Sequence, residues 1–241
     1  VNTLMTDIPQ DIRLVVLDMA GTTVADGGLV ERAFAAAAAA AELGVETGSP
    51  EHTEHLAYVR ATMGESKISV FRHLFGTEER AQRANAAFEK AYGELVDGGL
   101  VAPVPGAREA IEELAGSGRT VVLTTGFARV TQDAVLDALG WRDSSFPVPL
   151  TLCPADAGGR GRPYPDMVLA AFVRTGAADD VRQVAVVGDT SYDVLSGVRA
   201  GAGLVAGVRT GAHGDAEFRA AGATHVLDSV AGLPALLSGA R

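Results

Sequence analysis

The stretch Arg13-Leu14-Val15-Val16-Leu17-Asp18-Met19-Ala20-Gly21 is a short, unbroken apolar run that stops at a carboxylate, with a glycine just beyond. An uninterrupted run of this length is typical of a strand buried on both faces of a parallel sheet, and the Asp and Gly mark the loop at its carboxyl end. The design recurs twice. Arg119 to Leu123 runs into Thr124-Thr125-Gly126, and Gln183 to Val187 runs into Gly188-Asp189-Thr190. Gly203 to Val208 and Thr224 to Leu227 predict a fourth and a fifth strand. Helical patterns lie between the strands, at Ala107 to Ala115, Val130 to Leu139, Pro165 to Thr175 and Val194 to Ala200. Strands alternating with helices predict an α/β fold with a parallel sheet covered on both faces. In such sheets the chemistry collects in the loops at the carboxyl ends of the strands.

One region breaks the alternation. From about Leu29 to about Leu100 the pattern is helical throughout, with helices expected over Val30 to Leu43, Pro50 to Thr62, Ser66 to Leu74 and Glu78 to Val96. Gly27, Gly28, Gly98 and Gly99 supply hinges where the chain leaves and re-enters the sheet. The chain therefore divides into an α/β core, residues 1–26 and 101–241, and an inserted α-helical cap, residues 27–100.

Composition narrows the functional classes. The 241 residues carry 20 basic and 30 acidic side chains, a formal charge of −10, which argues against binding to nucleic-acid phosphates. Only Lys67 and Lys90 are lysines; the other 18 basic residues are arginines. In so arginine-biased a chain a given arginine is weak evidence, whereas a lysine calls for a reason. The longest helical apolar run, Ala33 to Ala41, is alanine-rich and flanked by charge, so no membrane span is expected. The single cysteine, Cys153, and an acidic N-terminal region without a basic start and apolar core fit a cytoplasmic location.

Four segments fall at the loops where a site is expected: Asp18-Met19-Ala20-Gly21-Thr22-Thr23-Val24, Thr124-Thr125-Gly126, Gly161-Arg162-Pro163-Tyr164-Pro165, and Gly188-Asp189-Thr190-Ser191-Tyr192-Asp193. Phosphoryl transfer needs a nucleophile and compensation for the charge on the phosphoryl oxygens. Asp18 can serve as a carboxylate nucleophile. Asp18, Asp189, Asp193 and the Ala20 carbonyl offer hard oxygen ligands suited to Mg²⁺, and Thr125 and Arg162 can donate to phosphoryl oxygens, Arg162 with a two-pronged fork. In order and placement the four segments resemble the motifs of the haloacid dehalogenase superfamily over nearly the whole chain. That resemblance implies a Rossmann-like core with a cap, an aspartyl-phosphate on Asp18 and a Mg²⁺ cofactor.

Most phosphatases and phosphomutases of that superfamily keep a second Asp two residues after the nucleophile, to protonate the leaving oxygen and then activate water. Ala20 can do neither. The Asp-x-Ala-Gly-Thr-Thr-Val form, together with Gly161-Arg162-Pro163-Tyr164-Pro165, resembles the phosphonatase (phosphonoacetaldehyde hydrolase) branch, which cleaves a carbon–phosphorus bond. In that branch a cap lysine in a Met-Gly-x-x-Lys-Ile segment forms a Schiff base with the substrate aldehyde, and Met63-Gly64-Glu65-Ser66-Lys67-Ile68 matches it. The resemblance makes Lys67 catalytic, places Met63, Gly64, Gly126 and Phe127 at the substrate, and implies a small phosphonate or phosphate substrate and a homodimer joined through the cap.

The chain departs from the branch where Val70 replaces a His, Phe127 a Tyr and Gly28 a Cys, which leaves the exact substrate open. His73 reads as a surface residue, and Arg209 and His213 as structural or solvent-facing. The group that activates water for the aspartyl-phosphate is open, with the released amine or enamine a candidate. Gly64-Glu65-Ser66-Lys67 also fits a cap segment in which the lysine only grips an anion. A phosphatase or phosphomutase acting on a small phosphate ester is therefore the alternative, and a non-enzymatic binder a third reading. Ala20 favours the phosphonatase.

Overall fold

The computed structural model describes residues 11–40 and 48–239; the expected end of the first cap helix, 41–43, lies outside them. The chain runs β1 (Leu14–Asp18), β2 (Val24–Ala25), α1 (Leu29–Ala40), α2 (Pro50–Ala61), α3 (Lys67–Phe75), α4 (Glu78–Asp97), β3 (Ala102–Pro103), α5 (Ala107–Gly116), β4 (Thr120–Thr124) and α6 (Arg129–Ala138). It continues through β5 (Leu150–Leu152), α7 (Asp166–Thr175), β6 (Val184–Gly188), α8 (Ser191–Ala200), β7 (Leu204–Val208), α9 (Asp215–Ala221), β8 (His225–Leu227) and α10 (Leu233–Ser238).

Six of these strands form one parallel sheet in the order β5-β4-β1-β6-β7-β8. The apolar runs face both ways. Val15 and Leu17 of β1, Val121 and Leu123 of β4, and Ala185 and Val187 of β6 enter one core. Their neighbours Leu14, Val16, Val122, Val184 and Val186 enter a second core on the opposite face, with Val168 and Ala171 of α7. A strand that feeds two cores has no solvent face, so its sequence does not alternate.

The expected strands are present, with their ends shifted by about a residue. Three strands were not anticipated: the two-residue β2 and β3, and, in the large sheet, β5, a three-residue edge strand, Leu-Thr-Leu, which follows Pro147 and Pro149 and is followed by Pro154. Its brevity and flanking prolines hide the strand pattern, and an edge is where a sheet tolerates such a neighbourhood.

Register fixes where chemistry can occur. Asp18 pairs with Thr124, and Leu17 with Val187. The ends of β1, β4 and β6 therefore lie side by side at the centre of the sheet. The four helices α1 to α4 are inserted between β2 and β3, which pair antiparallel (Val24 with Pro103, Ala25 with Ala102) and close the neck of the insertion. The helices pack on their own aromatic cluster, with the Phe34 ring stacked on Phe71 at 5.6 Å and Phe71 against Phe88 at 5.9 Å.

Candidate active site

The segment that joins α2 to α3 reaches down from the inserted helices onto the sheet. Glu65 forms a parallel backbone bridge with Arg162. The approach is too close for side chains at two positions. A Cβ on Gly126 would lie 2.7 Å from the Glu65 carbonyl oxygen, and one on Gly64, which has φ +91°, would lie 2.5 Å from the Thr190 hydroxyl. Ser66 then caps α3 by accepting the Ser69 amide, so Lys67 begins the helix with its side chain between the two layers.

A cavity of about 430 Å³ lies at this junction. Asp18, Ala20, Met63, Gly64, Lys67, Thr125, Gly126, Phe127, Arg162 and Asp189 all line it, so it gathers nearly every residue expected from the sequence. Asp193 sits behind it, buried. Val70 is buried in the apolar core of the helices. His73 is exposed and stacks on Tyr58 at 4.1 Å.

At the floor of the cavity, Arg162 holds the carboxylates together. Its Nη2 lies 2.7 Å from an Asp18 carboxylate oxygen and donates to the Thr124 hydroxyl at 2.6 Å, while Nε lies 2.5 Å from an Asp193 oxygen. Two edges of the guanidinium are thus committed to protein groups, and among the described residues only the buried Nη1 lacks a partner. Arg162 therefore offers one nitrogen, where the sequence suggested a fork. Thr125 Oγ1 accepts the Phe127 amide at 3.1 Å, which leaves its own proton free to donate.

Asp18, Asp189 and Asp193 are all buried, with ligand atoms within 4.8 Å of one another. Burial raises the Asp18 carboxyl well above its ordinary value against the pull of Arg162, with Asp193 and Asp189 pushing the same way. Asp189 is pushed up to about 7 by burial and then by Asp193. Three crowded carboxylates with one guanidinium between them have the oxygen donors and the excess negative charge that suit a divalent cation, and Mg²⁺ fits this set.

Lys67 is 8% exposed, and its Nζ lies over the Phe127 ring, 5.9 Å from the centroid. Among the described residues it makes no ion pair. Burial pulls its pKa down, with Arg162 acting the same way, against the opposing charges of Asp26, Asp18 and Asp189.

Some lining residues were not foreseen. After β7, Thr210 donates to the Gly21 carbonyl at 2.6 Å and the Ala212 amide donates to Asp189 at 2.9 Å, so the loop 210–212 completes the wall. Its flanks agree with the sequence reading: Arg209 pairs with Asp215 and Asp228 at the surface, and the His213 ring accepts the Ser191 amide at 3.0 Å. The glycine-rich end of β7 was the available signal. Asp26, Gly27, Gly28, Glu31 and Arg60 also line the cavity. Gly27 and Gly28 read as hinges from the sequence, whereas Arg60 and Glu31 come together only through the packing of α1 and α2, which no motif announces.

Comparison with known proteins agrees with this geometry. A family model for haloacid dehalogenase-like hydrolases matches residues 12–201. A phosphonoacetaldehyde hydrolase from Bacteroides fragilis is 30% identical, with 94% of this chain and 95% of that protein aligned. A protein named a probable phosphatase from Dickeya dadantii is 32% identical over 71% of this chain and 73% of its own. Among solved structures, a phosphonoacetaldehyde hydrolase-like protein from Oleispira antarctica superposes with a TM-score of 0.78 at 23% identity, covering 95% of this chain and 92% of that one.

Proposed function

The chain belongs to the haloacid dehalogenase-like hydrolase family, and from that premise we propose that it hydrolyses the carbon–phosphorus bond of phosphonoacetaldehyde or a close relative. One observation carries this reading. The position that would hold the acid for ester hydrolysis is Ala20, and the same cavity contains the buried amine of Lys67.

A carbon leaving group needs an electron sink, and an imine provides one. The depressed pKa of Lys67 favours the neutral amine, which adds to the aldehyde carbon; loss of water gives a protonated imine. An Asp18 oxygen then attacks phosphorus. The P–C bonding pair moves into the imine, leaving an aspartyl-phosphate on Asp18 and an enamine on Lys67. Protonation of the enamine carbon and addition of water release acetaldehyde and the free amine, and a second water releases phosphate from Asp18. Net, one water is consumed. Thr125 and Arg162 hold the phosphoryl oxygens through this sequence. A Mg²⁺ held by Asp18, Asp189, Asp193 and the Ala20 carbonyl would neutralise charge on those oxygens.

The relative named a phosphatase supports a second reading, hydrolysis of a small phosphate ester with Lys67 as an anion grip. Ala20 weighs against it, because alanine neither protonates a leaving oxygen nor activates water. Phosphate release from phosphonoacetaldehyde and from a panel of small phosphate esters, by the native protein and K67A, separates the two. Turnover of the phosphonate that K67A abolishes is expected. Ester turnover that survives K67A, with no phosphonate turnover, would overturn the proposal.

A further inference from the structure

The cavity extends well past the groups that the reaction above requires. At about 430 Å³ it falls in the range of pockets that enclose drug-sized ligands, about 300–1,000 Å³, whereas phosphonoacetaldehyde adds only a two-carbon aldehyde to its phosphoryl group. The far rim is polar. Arg60 of α2 donates through Nε and Nη2 to both Glu31 oxygens, at 2.7 and 2.8 Å, and both residues line the same cavity as Asp18 and Lys67. This bidentate pair fixes the guanidinium plane and leaves Nη1 and the outer Nη2 proton without a Glu31 partner. The Arg60 side chain keeps 61% of its surface, so those donors remain accessible.

The acidic groups nearby are already engaged. Asp26 accepts the Gly28 amide at 3.1 Å and the Val30 amide at 3.2 Å, which occupies it at the head of α1. Hydrogen bonding from Arg60 holds the Glu31 carboxyl below its ordinary value, so it stays a fixed anchor for the guanidinium. Beside them, a Cβ on Gly28 would meet nothing within 4 Å, which leaves room for a chain to pass.

Resting on the phosphonatase reading of the same site, we propose that Arg60, braced by Glu31, is a distal anion subsite. The substrate class is then a phosphonate with a carbonyl one carbon from phosphorus and a carboxylate on the carbon chain beyond it. The phosphoryl group sits at Asp18, Thr125 and Arg162, the carbonyl at Lys67 and the carboxylate at Arg60.

The test measures binding and does not depend on turnover. Titration calorimetry with Mg²⁺ compares phosphonoacetate, 3-phosphonopropanoate and 4-phosphonobutanoate with alkylphosphonates of matched length. At one chain length the carboxylate ligand is expected to bind at least about ten-fold tighter than its alkyl partner, the scale of one charge-assisted hydrogen bond. In R60A the two affinities should converge, and in E31Q, where Arg60 loses its carboxylate anchor, the preference should narrow. Equal affinities at every length, or a preference that persists in R60A and disappears in K67A, would overturn the subsite. Failure of the carbon–phosphorus reading would show instead as absence of phosphonate turnover, with these binding ratios unaffected.

Discussion

On the proposed route, Lys67 and Ala20 decide the chemistry at the level of single residues. In a chain with 18 arginines and two lysines, Lys67 is buried in the cavity, and arginine could not replace it there on that route, because a guanidinium does not form an imine with an aldehyde. This gives a sharp expectation for K67R. Arginine keeps the charge and the cation–π geometry over Phe127, so a mere anion grip would lose little. The imine route predicts that K67R is as inactive toward phosphonoacetaldehyde as K67A, down by roughly 10⁴-fold in kcat, the scale on which covalent catalytic groups are lost. Steady-state phosphate release measures it. The residues of the cavity floor were legible in the sequence because each belongs to a short motif: Asp18, Thr125 and Asp189 at or just past a strand end, Asp193 in the first turn of α8 and Arg162 in the loop before α7. Arg60 and Glu31 were not, because their pairing spans 29 residues and depends on how α1 meets α2.

At the scale of elements, the inserted helices also serve the sheet domain's helices. No side chain caps the N-terminus of α6 from its own loop, where Ala128 stands at the cap position. Glu89 of α4 reaches the first turn of α6 instead, where its carboxylate accepts from the Thr131 hydroxyl. E89A should therefore destabilise the fold by about 1 kcal/mol, as loss of one partly buried hydrogen bond does. Burial raises the Glu89 carboxyl above its unfolded value. Its contribution is thus fullest below the unfolded pKa and fades as pH rises through the folded one. Urea denaturation should show a larger cost for E89A near pH 5 than near pH 8, and the reverse order would contradict the assignment. Such a contact cannot be read from sequence, because its two halves lie 42 positions apart, and the same is true of the short β5, which only its neighbour β4 defines.

For the whole molecule, the charge of −10 and an anionic substrate are reconciled locally: Arg162 and Lys67 line the cavity, and the carboxylates suit a divalent cation. In the metal-free protein Asp18 and Asp189 have pKa values raised above 3.8, that of Asp189 to about 7. Their folded-state protonation contributes stability at low pH that is lost as pH rises toward 7. A Mg²⁺ held by these carboxylates would bind their deprotonated forms, so its stabilising effect should grow over the same range. The stability gained on adding Mg²⁺, followed by the rise in Tm, should be larger near pH 8 than near pH 5.5, approaching about 2.7 kcal/mol at a hundred-fold excess over Kd, and D189N should remove most of it. An equal gain at both pH values would count against a cation at these carboxylates. Among the described residues no helix is long and apolar enough to cross a membrane, in line with the sequence. Whether Lys67 is the electron sink for carbon–phosphorus cleavage is read out by borohydride reduction of the Mg²⁺-loaded protein during turnover of phosphonoacetaldehyde, with peptide mass mapping. A reduced two-carbon adduct on Lys67, absent from Lys90 and formed together with phosphate release, is expected; phosphate release with no adduct on Lys67 would rule the imine out.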